Sequence, residues 1–424
     1  MRTFLIQLGV LLAAGLGAFG LSTLVEAQTI EELQQKITSQ TSAIEKLEKE
    51  IAQYQGDIAT LASKKKTLSN AIAALEVTRK KLEADIRLTQ TKVDTTDLKI
   101  RQLGSEISYK EDEISARKAA LKEALLSVYE SDEQSLAQIA LSNESFSGLW
   151  NDLETLEMFS SSVTANVEII KALKSDLEAK NKAKKLEKGK LLGLKEELGD
   201  QKKITEDNKK QTTTLLTQTK NQETQYQKIL KDKLALKDAL EKELREYEST
   251  LKFILDPTSI PPRGTKVFAA PLNPLTITQQ FGKTSSSGRL YASGTHNGTD
   301  FRAAVGTPVK AMLSGTVIGT GDTDLTCAGA SYGKWVLIKH KNGLASLYAH
   351  FSLIKVSKGQ TINTSDLIGY SGNTGYSTGP HLHLTVFAAA AVEVKNLPSK
   401  SCGGRTYTMP VAATNAYLDP MDYL

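Results

Sequence analysis

The chain has 424 residues, 24% of them charged and only 6% aromatic, and a net charge of +5. That length allows two or three domains. The polar composition argues against one large globule and for a long helical section beside a smaller compact domain, and so small a net charge gives nucleic-acid binding no support. The whole excess lies after Val267, where nine Lys and three Arg face six Asp and one Glu. A positive field there would favour anionic partners; an ordinary solvated surface accounts for it equally well.

Residues 1–27 read as an export signal. Arg2 is the only charge before Glu26, an apolar stretch runs from Phe4 to Val25, and Val25-Glu26-Ala27 offers small residues for cleavage after Ala27. An uncleaved anchor is the alternative, since the stretch is long enough to span a bilayer, although Gly9, Gly15, Gly17 and Gly20 weaken it as a helix. Both readings put the rest of the chain outside the cytoplasm, in the envelope or beyond it.

Residues 28–255 read as a coiled coil. One heptad series runs Ile30, Ile37, Ile44, Ile51, Ile58, Lys65, Ile72, Arg79, Ile86, Val93, Ile100, Ile107, Ile114, Leu121. Only Lys65 and Arg79 break it, and a stripe sustained at 3.5-residue spacing must be buried against a partner helix. Unbroken, it would make a rod of about 140 Å at 1.5 Å per residue. Turn-rich segments then interrupt the pattern, and apolar residues including Phe146, Leu149 and Trp150 suggest a helical cap near 128–160. A second helical stretch follows to Ile254, nearly all polar from 199 to 225, where weak packing is expected. Two helices joined by a cap fit an antiparallel hairpin within one chain; a parallel dimer is the alternative, because Ile and Leu at the two core positions favour it. Pro257, Pro261 and Pro262 mark a stiff linker over 256–266.

Residues 267–424 read as an all-β, antiparallel domain: short runs such as Trp335–Ile338 and Leu382–Phe387 alternate with Gly, Ser and Thr, and Asn342-Gly343 is a hairpin signal. All five histidines of the chain lie after residue 295, so any imidazole chemistry is confined here. Residues two apart on a strand share a face, which puts His381, His383 and Thr385 together. His296 and Asp300, four apart, form a second fragment, and His350 closes a third, Leu347-Tyr348-Ala349-His350. If Asn342-Gly343 is a two-residue turn, Lys341 pairs with Leu344 and Trp335 with His350. His350 then shares a face with Trp335, Leu337 and Tyr348, and His340, on the other face, is structural.

Taken together, His296-Asn297-Gly298-Thr299-Asp300, Leu347–His350, Ile277–Gly282 and Gly375–Leu384 resemble the LytM/lysostaphin family of zinc peptidoglycan endopeptidases, over about Val267 to Leu424. The resemblance implies one zinc ion per chain held by His296, Asp300 and His383, with His350 and His381 as catalytic imidazoles and peptidoglycan as substrate. Such a ligand set leaves the fourth tetrahedral position of zinc open for water. One imidazole can then move the proton while the other steadies the oxyanion. Cys327 and Cys402 are the only cysteines; in an exported chain they are expected to form a loop-to-loop disulfide, two free thiols being the alternative. Coiled coil, linker and catalytic domain together resemble the division-associated EnvC-type proteins, and the cap resembles the coiled-coil tip of PcsB-type wall hydrolases. That implies a role in cell separation or wall remodelling and docking of the cap on an FtsX-like membrane partner, against a coiled coil that is only a spacer. EnvC-type proteins have often lost their zinc ligands and activate other hydrolases; here every ligand is present, which favours an enzyme over a non-catalytic activator.

Overall fold

The computed structural model describes residues 33–35, 37–58, 67–131, 146–220, 222–251, 253–283 and 295–424. The signal segment and residues 132–145 of the cap lie outside them. Among the described residues no helix is long and apolar enough to cross a membrane. The chain forms two compact units, one of Leu88–Leu198 with residues up to Lys46, the other of Leu47–Arg87 with Gly199–Leu424.

The helices are α1 (37–58), α2 (Leu68–Ser131), α3 (Phe146–Thr219) and α4 (Glu223–Thr250). In the first unit α2 and α3 run antiparallel within one chain. Arg117 bonds Asn166, Lys110 faces Asp176 at 3.7 Å and Lys180 bonds Glu106 at 2.6 Å, one sequence number rising as the other falls. The heptad stripe is buried there as Ile107 and Ile114, the latter packed with Ile170 and Leu173.

The unbroken rod does not form. Thr95 bonds Gln40 at 2.6 Å and Arg87 bonds Glu50 at 2.9 Å. Residues 37 apart on one straight helix would be about 55 Å apart, so α1 folds back along α2. The heptad whose core position is Lys65 lies outside the described residues, between α1 and α2. The single periodicity is thus shared by two helices, and α2 alone, 64 residues long, spans about 96 Å.

In the second unit the sheet has the order β1 (Ile277–Gln279), β2 (Thr299–Arg302), β10 (His381–Ala388), β6 (Leu344–Ala349), β5 (Lys334–His340), β4 (Gly315–Asp322), β8 (Thr361–Ile362), with β13 (Tyr417–Leu418) also on β10. Every adjacent pair is antiparallel. Both faces are covered, which is why β6 is buried at every position. One face packs Val336, Ile338, Tyr348, Leu382, Leu384 and Val386 with Phe268 and Tyr423. The other packs Trp335, Leu337, Leu347 and Phe387 with the ribbon of β11 (Glu393–Pro398) and β12 (Thr406–Val411).

Two helical segments join the sheet rather than a coiled-coil stripe. Over 200–208 the polar stretch is packed, against the expectation from its composition, with Asp200, Gln201, Ile204, Thr205 and Asn208 buried; from 209 to 218 it is mostly exposed, as expected. Ile204 meets Leu82 and Tyr370, and Asp200 pairs with Lys355 at 2.8 Å. Its polar side chains meet a folded domain with complementary groups, not another apolar ridge. In α4, Leu236, Leu240, Leu244 and Tyr247 follow helical spacing and pack into the second core cluster, beside Trp335 and Tyr407.

Candidate metal centre and active site

The register of β2 on β10 sets Asp300 directly opposite His383. His296 joins them from the segment before β2, where its backbone exchanges both hydrogen bonds with Gly282. Three ligand atoms converge. His383 Nδ1 lies 2.8 Å from Asp300 Oδ1, His296 Nε2 lies 3.1 Å from His383 Nδ1, and His296 Nε2 lies 3.3 Å from Asp300 Oδ1. Ligands at 2.0–2.1 Å from a tetrahedral zinc stand about 3.3 Å apart, so the spacing fits.

The surrounding bonds fix which nitrogens face inward. His296 Nδ1 lies 3.0 Å from the Gln280 carbonyl, which only accepts, so Nδ1 carries a proton there and Nε2 turns toward His383 and Asp300. His383 Nε2 can donate to the Thr385 hydroxyl at 2.9 Å, leaving Nδ1 as a lone pair toward Asp300. Burial alone would raise the Asp300 carboxyl, but the imidazoles around it, His381 first and then His296 and His383, outweigh this whenever they carry a proton toward it and hold Asp300 well below the usual carboxylate range. With their protons on the outer nitrogens the two rings would set lone pairs against a carboxylate at these distances, which a bound cation or a shared proton relieves, and outer partners that orient ligand imidazoles are the rule at zinc sites. Gly298 between the ligands has a steric role: a Cβ there would lie 2.7 Å from the His383 ring.

His350 and His381 flank this cluster, their ring centroids 4.6 Å apart, with His350 5.8 Å from His383. His381 Nδ1 faces the Gly379 carbonyl at 2.8 Å and its Nε2 lies 3.6 Å from Asp300. His350 Nδ1 faces the Thr374 carbonyl at 2.8 Å. Each imidazole therefore carries its proton on Nδ1 and leaves Nε2 to accept. Burial holds His350 well below the usual histidine range, in its neutral form.

His350 arrives by a route that strand alternation does not give. The β5–β6 pairs are Val336 with Tyr348 and Lys339 with Ala345, one residue away from the expected register. The turn has three residues, Lys341-Asn342-Gly343, with Gly343 at φ +82°, the left-handed third position such loops use. Tyr348 thus shares its face with Val336 and Ile338, not with Trp335 and Leu337, and alternation would send His350 there too. Instead His350 adopts φ +63°, an uncommon conformation for a non-glycine residue. That twist ends the strand and delivers the ring beside His381 and His383. His340 stays on the opposite face, bonded to the Ser314 carbonyl at 3.1 Å and the Ser346 hydroxyl at 2.8 Å.

Cys327 and Cys402 are disulfide-bonded, their Cα atoms 6.0 Å apart. The bond ties the loop before β5 to the β11–β12 turn. The same turn seats α4: the Glu243 carboxylate accepts from the Ser399 hydroxyl at 2.7 Å and from the Ser401 backbone and hydroxyl at 2.8 and 2.6 Å. Tyr417 bonds Glu248 one turn further on. As a result Leu240, Glu241, Leu244, Arg245 and Glu248 line the same cleft as the five site residues His296, Asp300, His350, His381 and His383.

The antiparallel sheet thus presents a buried His–Asp–His cluster that could hold a metal ion, with two further imidazoles beside it. Residues 294–394 match Peptidase family M23. The peptidoglycan DD-endopeptidase ShyA of Vibrio cholerae is 44% identical over 88 residues, 21% of this chain and 19% of that protein. Lysostaphin of Staphylococcus staphylolyticus is 40% identical over 90 residues, 21% of this chain and 18% of that protein. Among solved structures, the catalytic domain of lysostaphin from Staphylococcus simulans aligns over 35% of this chain and 91% of that one at 27% identity, with a TM-score of 0.25. The chain spans about a fifth of the length of the curated relatives it matches.

Proposed function

We propose that this chain is an exported zinc-dependent endopeptidase that hydrolyses peptide bonds of bacterial cell-wall peptidoglycan during cell separation or wall remodelling. The observation that carries this reading is the convergence of His296 Nε2, Asp300 Oδ1 and His383 Nδ1 beside two imidazoles whose Nε2 atoms are free to accept. The names of the relatives supply the substrate class. Zinc, when bound by those three residues, would acidify a water and polarise the scissile carbonyl. His350 and His381 then divide the remaining work: one imidazole takes a proton from the attacking water and returns it to the leaving amine, and the other, if it enters the step protonated from solvent, donates to the oxyanion and keeps that proton when the carbonyl re-forms. A non-catalytic activator would have no use for this complete constellation, which is why the enzyme reading is preferred.

We place control in α4: Leu240, Glu241, Leu244, Arg245 and Glu248 line the cleft beside the site residues, so a helix held there would restrict substrate until it is released. Docking of the helical cap on a membrane partner of the FtsX kind is the proposed trigger, by shifting the population toward a released form. The test is a digest of purified peptidoglycan by the full exported chain, with and without a chelator, read by mass spectrometry. New peptide termini that vanish with the chelator support the reading. An unchanged product profile under all conditions, including variants that release α4, would leave the activator role.

A further inference from the structure

Two loops bring His350 to its place, and neither belongs to the ladder of the main sheet. The loop 323–333 accepts the His350 backbone N–H at the Tyr332 carbonyl, 2.9 Å away. The loop 373–377 accepts the imidazole Nδ1–H at the Thr374 carbonyl, 2.8 Å away. The loops are closely packed: a Cβ on Gly333 would lie 2.5 Å from the Thr374 hydroxyl. That hydroxyl accepts from Lys334 N at 3.0 Å and donates to the Phe351 carbonyl at 2.9 Å.

Asp324 joins the two loops. Its Oδ1 accepts from Gly329 N at 2.7 Å and its Oδ2 from Gly375 N at 2.7 Å. The Gly375 N–H and the Thr374 carbonyl belong to one peptide group. That group is planar, so fixing its N–H fixes its C=O. It is therefore held between a carboxylate at one end and the His350 imidazole at the other.

We propose that Asp324 is a positioning residue for His350, acting through the Thr374–Gly375 peptide as a carboxylate–peptide–imidazole relay. The carboxylate orients the peptide and, by accepting from its N–H, polarises the carbonyl into a stronger acceptor, as chained hydrogen bonds do. The carbonyl in turn locks His350 in the Nδ1–H tautomer with Nε2 aimed at the cleft. A charged acceptor on each of two backbone donors is a strong tether, and it counters the tendency of His350 to relax from φ +63°. The inference rests on the reading of His350 as a proton-transfer or oxyanion group.

The test uses the full zinc-loaded chain with Asp324→Ala and Asp324→Asn. In the starting chain, long-range proton–nitrogen correlation of the histidine rings should show His350 as a single Nδ1–H tautomer. Asp324→Ala should convert that signal to a tautomer average and lower kcat about tenfold, with KM and zinc content unchanged, as expected for lost orientation rather than lost binding. Asp324→Asn keeps the shape but not the charge, so it decides the matter if the alanine variant fails to fold; an intermediate shift of both readouts supports the relay. A single unshifted Nδ1–H signal with unchanged kcat in the asparagine variant overturns it. A tautomer signal that depends on Asp324 in a chain that hydrolyses nothing upholds the relay and counts against the proposed activity alone.

Discussion

A chain carrying His381→Ala should keep about one zinc per chain while its turnover of peptidoglycan falls about 10²- to 10⁴-fold. His381 is proposed to stand outside the ligand set because its Nε2 lies 3.6 Å from Asp300, further than either proposed ligand imidazole. His350→Ala should behave alike, and the double variant should lose little more than either single one, since the two rings serve one proton-transfer sequence. His340→Ala is the control. His340 is bonded on the opposite face of the sheet, so its loss should lower stability and leave kcat near the starting value. The measurements are initial rates alongside metal content; a His381→Ala chain that turns over at the full rate would remove His381 from the chemistry.

The second large effect is release of α4. Leu240 is 3% exposed and sits in the core cluster with Trp335 and Tyr407. Truncating a leucine so buried costs about 2–3 kcal/mol. The released helix leaves that side chain in water, so the cost falls on the docked state alone and shifts the equilibrium about 30- to 150-fold toward release. Leu240→Ala should therefore speed hydrolysis by a similar factor, up to the limit at which release is complete. The pH dependence of docking follows from Glu248. Burial pushes its carboxyl up to about 7, against the opposing bonds from Tyr417 and the Ala412 backbone. A group raised in the docked state stabilises docking fully below the ordinary carboxylate range and loses that contribution as pH rises through about 7. Activity of the full chain should then climb over that window, and Glu248→Gln should flatten the climb. Equal rates for Leu240→Ala and the starting chain at equal zinc content would make α4 a bystander.

The candidate metal cluster was the part most legible in the residues. Alternation along 381–385 put His381, His383 and Thr385 on one face, and the motif joined them to His296 and Asp300, whose cross-strand register with His383 the structure supplies. What stayed hidden depended on backbone details with no local signature. Asn342-Gly343 is compatible with two- and three-residue turns, so the register was off by one residue. The left-handed backbone of His350 then reversed the face that alternation assigns. Asp324 was invisible because its partners are backbone N–H groups of Gly329 and Gly375, which any sequence would offer. The helical half erred for a different reason. A heptad repeat specifies burial against some partner but not which one, so it could not reveal that α1 doubles back on α2. Nor could it show that the apolar stripe of α4 is spent on the sheet domain.

The central claim is that His296, Asp300 and His383, and no other histidine, hold one zinc ion. The most direct measurement is metal content by elemental mass spectrometry of the purified full chain and of five single alanine variants, at His296, Asp300, His383, His350 and His381. About one zinc per chain is expected in the starting protein and in the His350 and His381 variants, and close to none in the other three. Full zinc occupancy after Asp300→Ala or His383→Ala, or its loss after His350→Ala, would contradict the account.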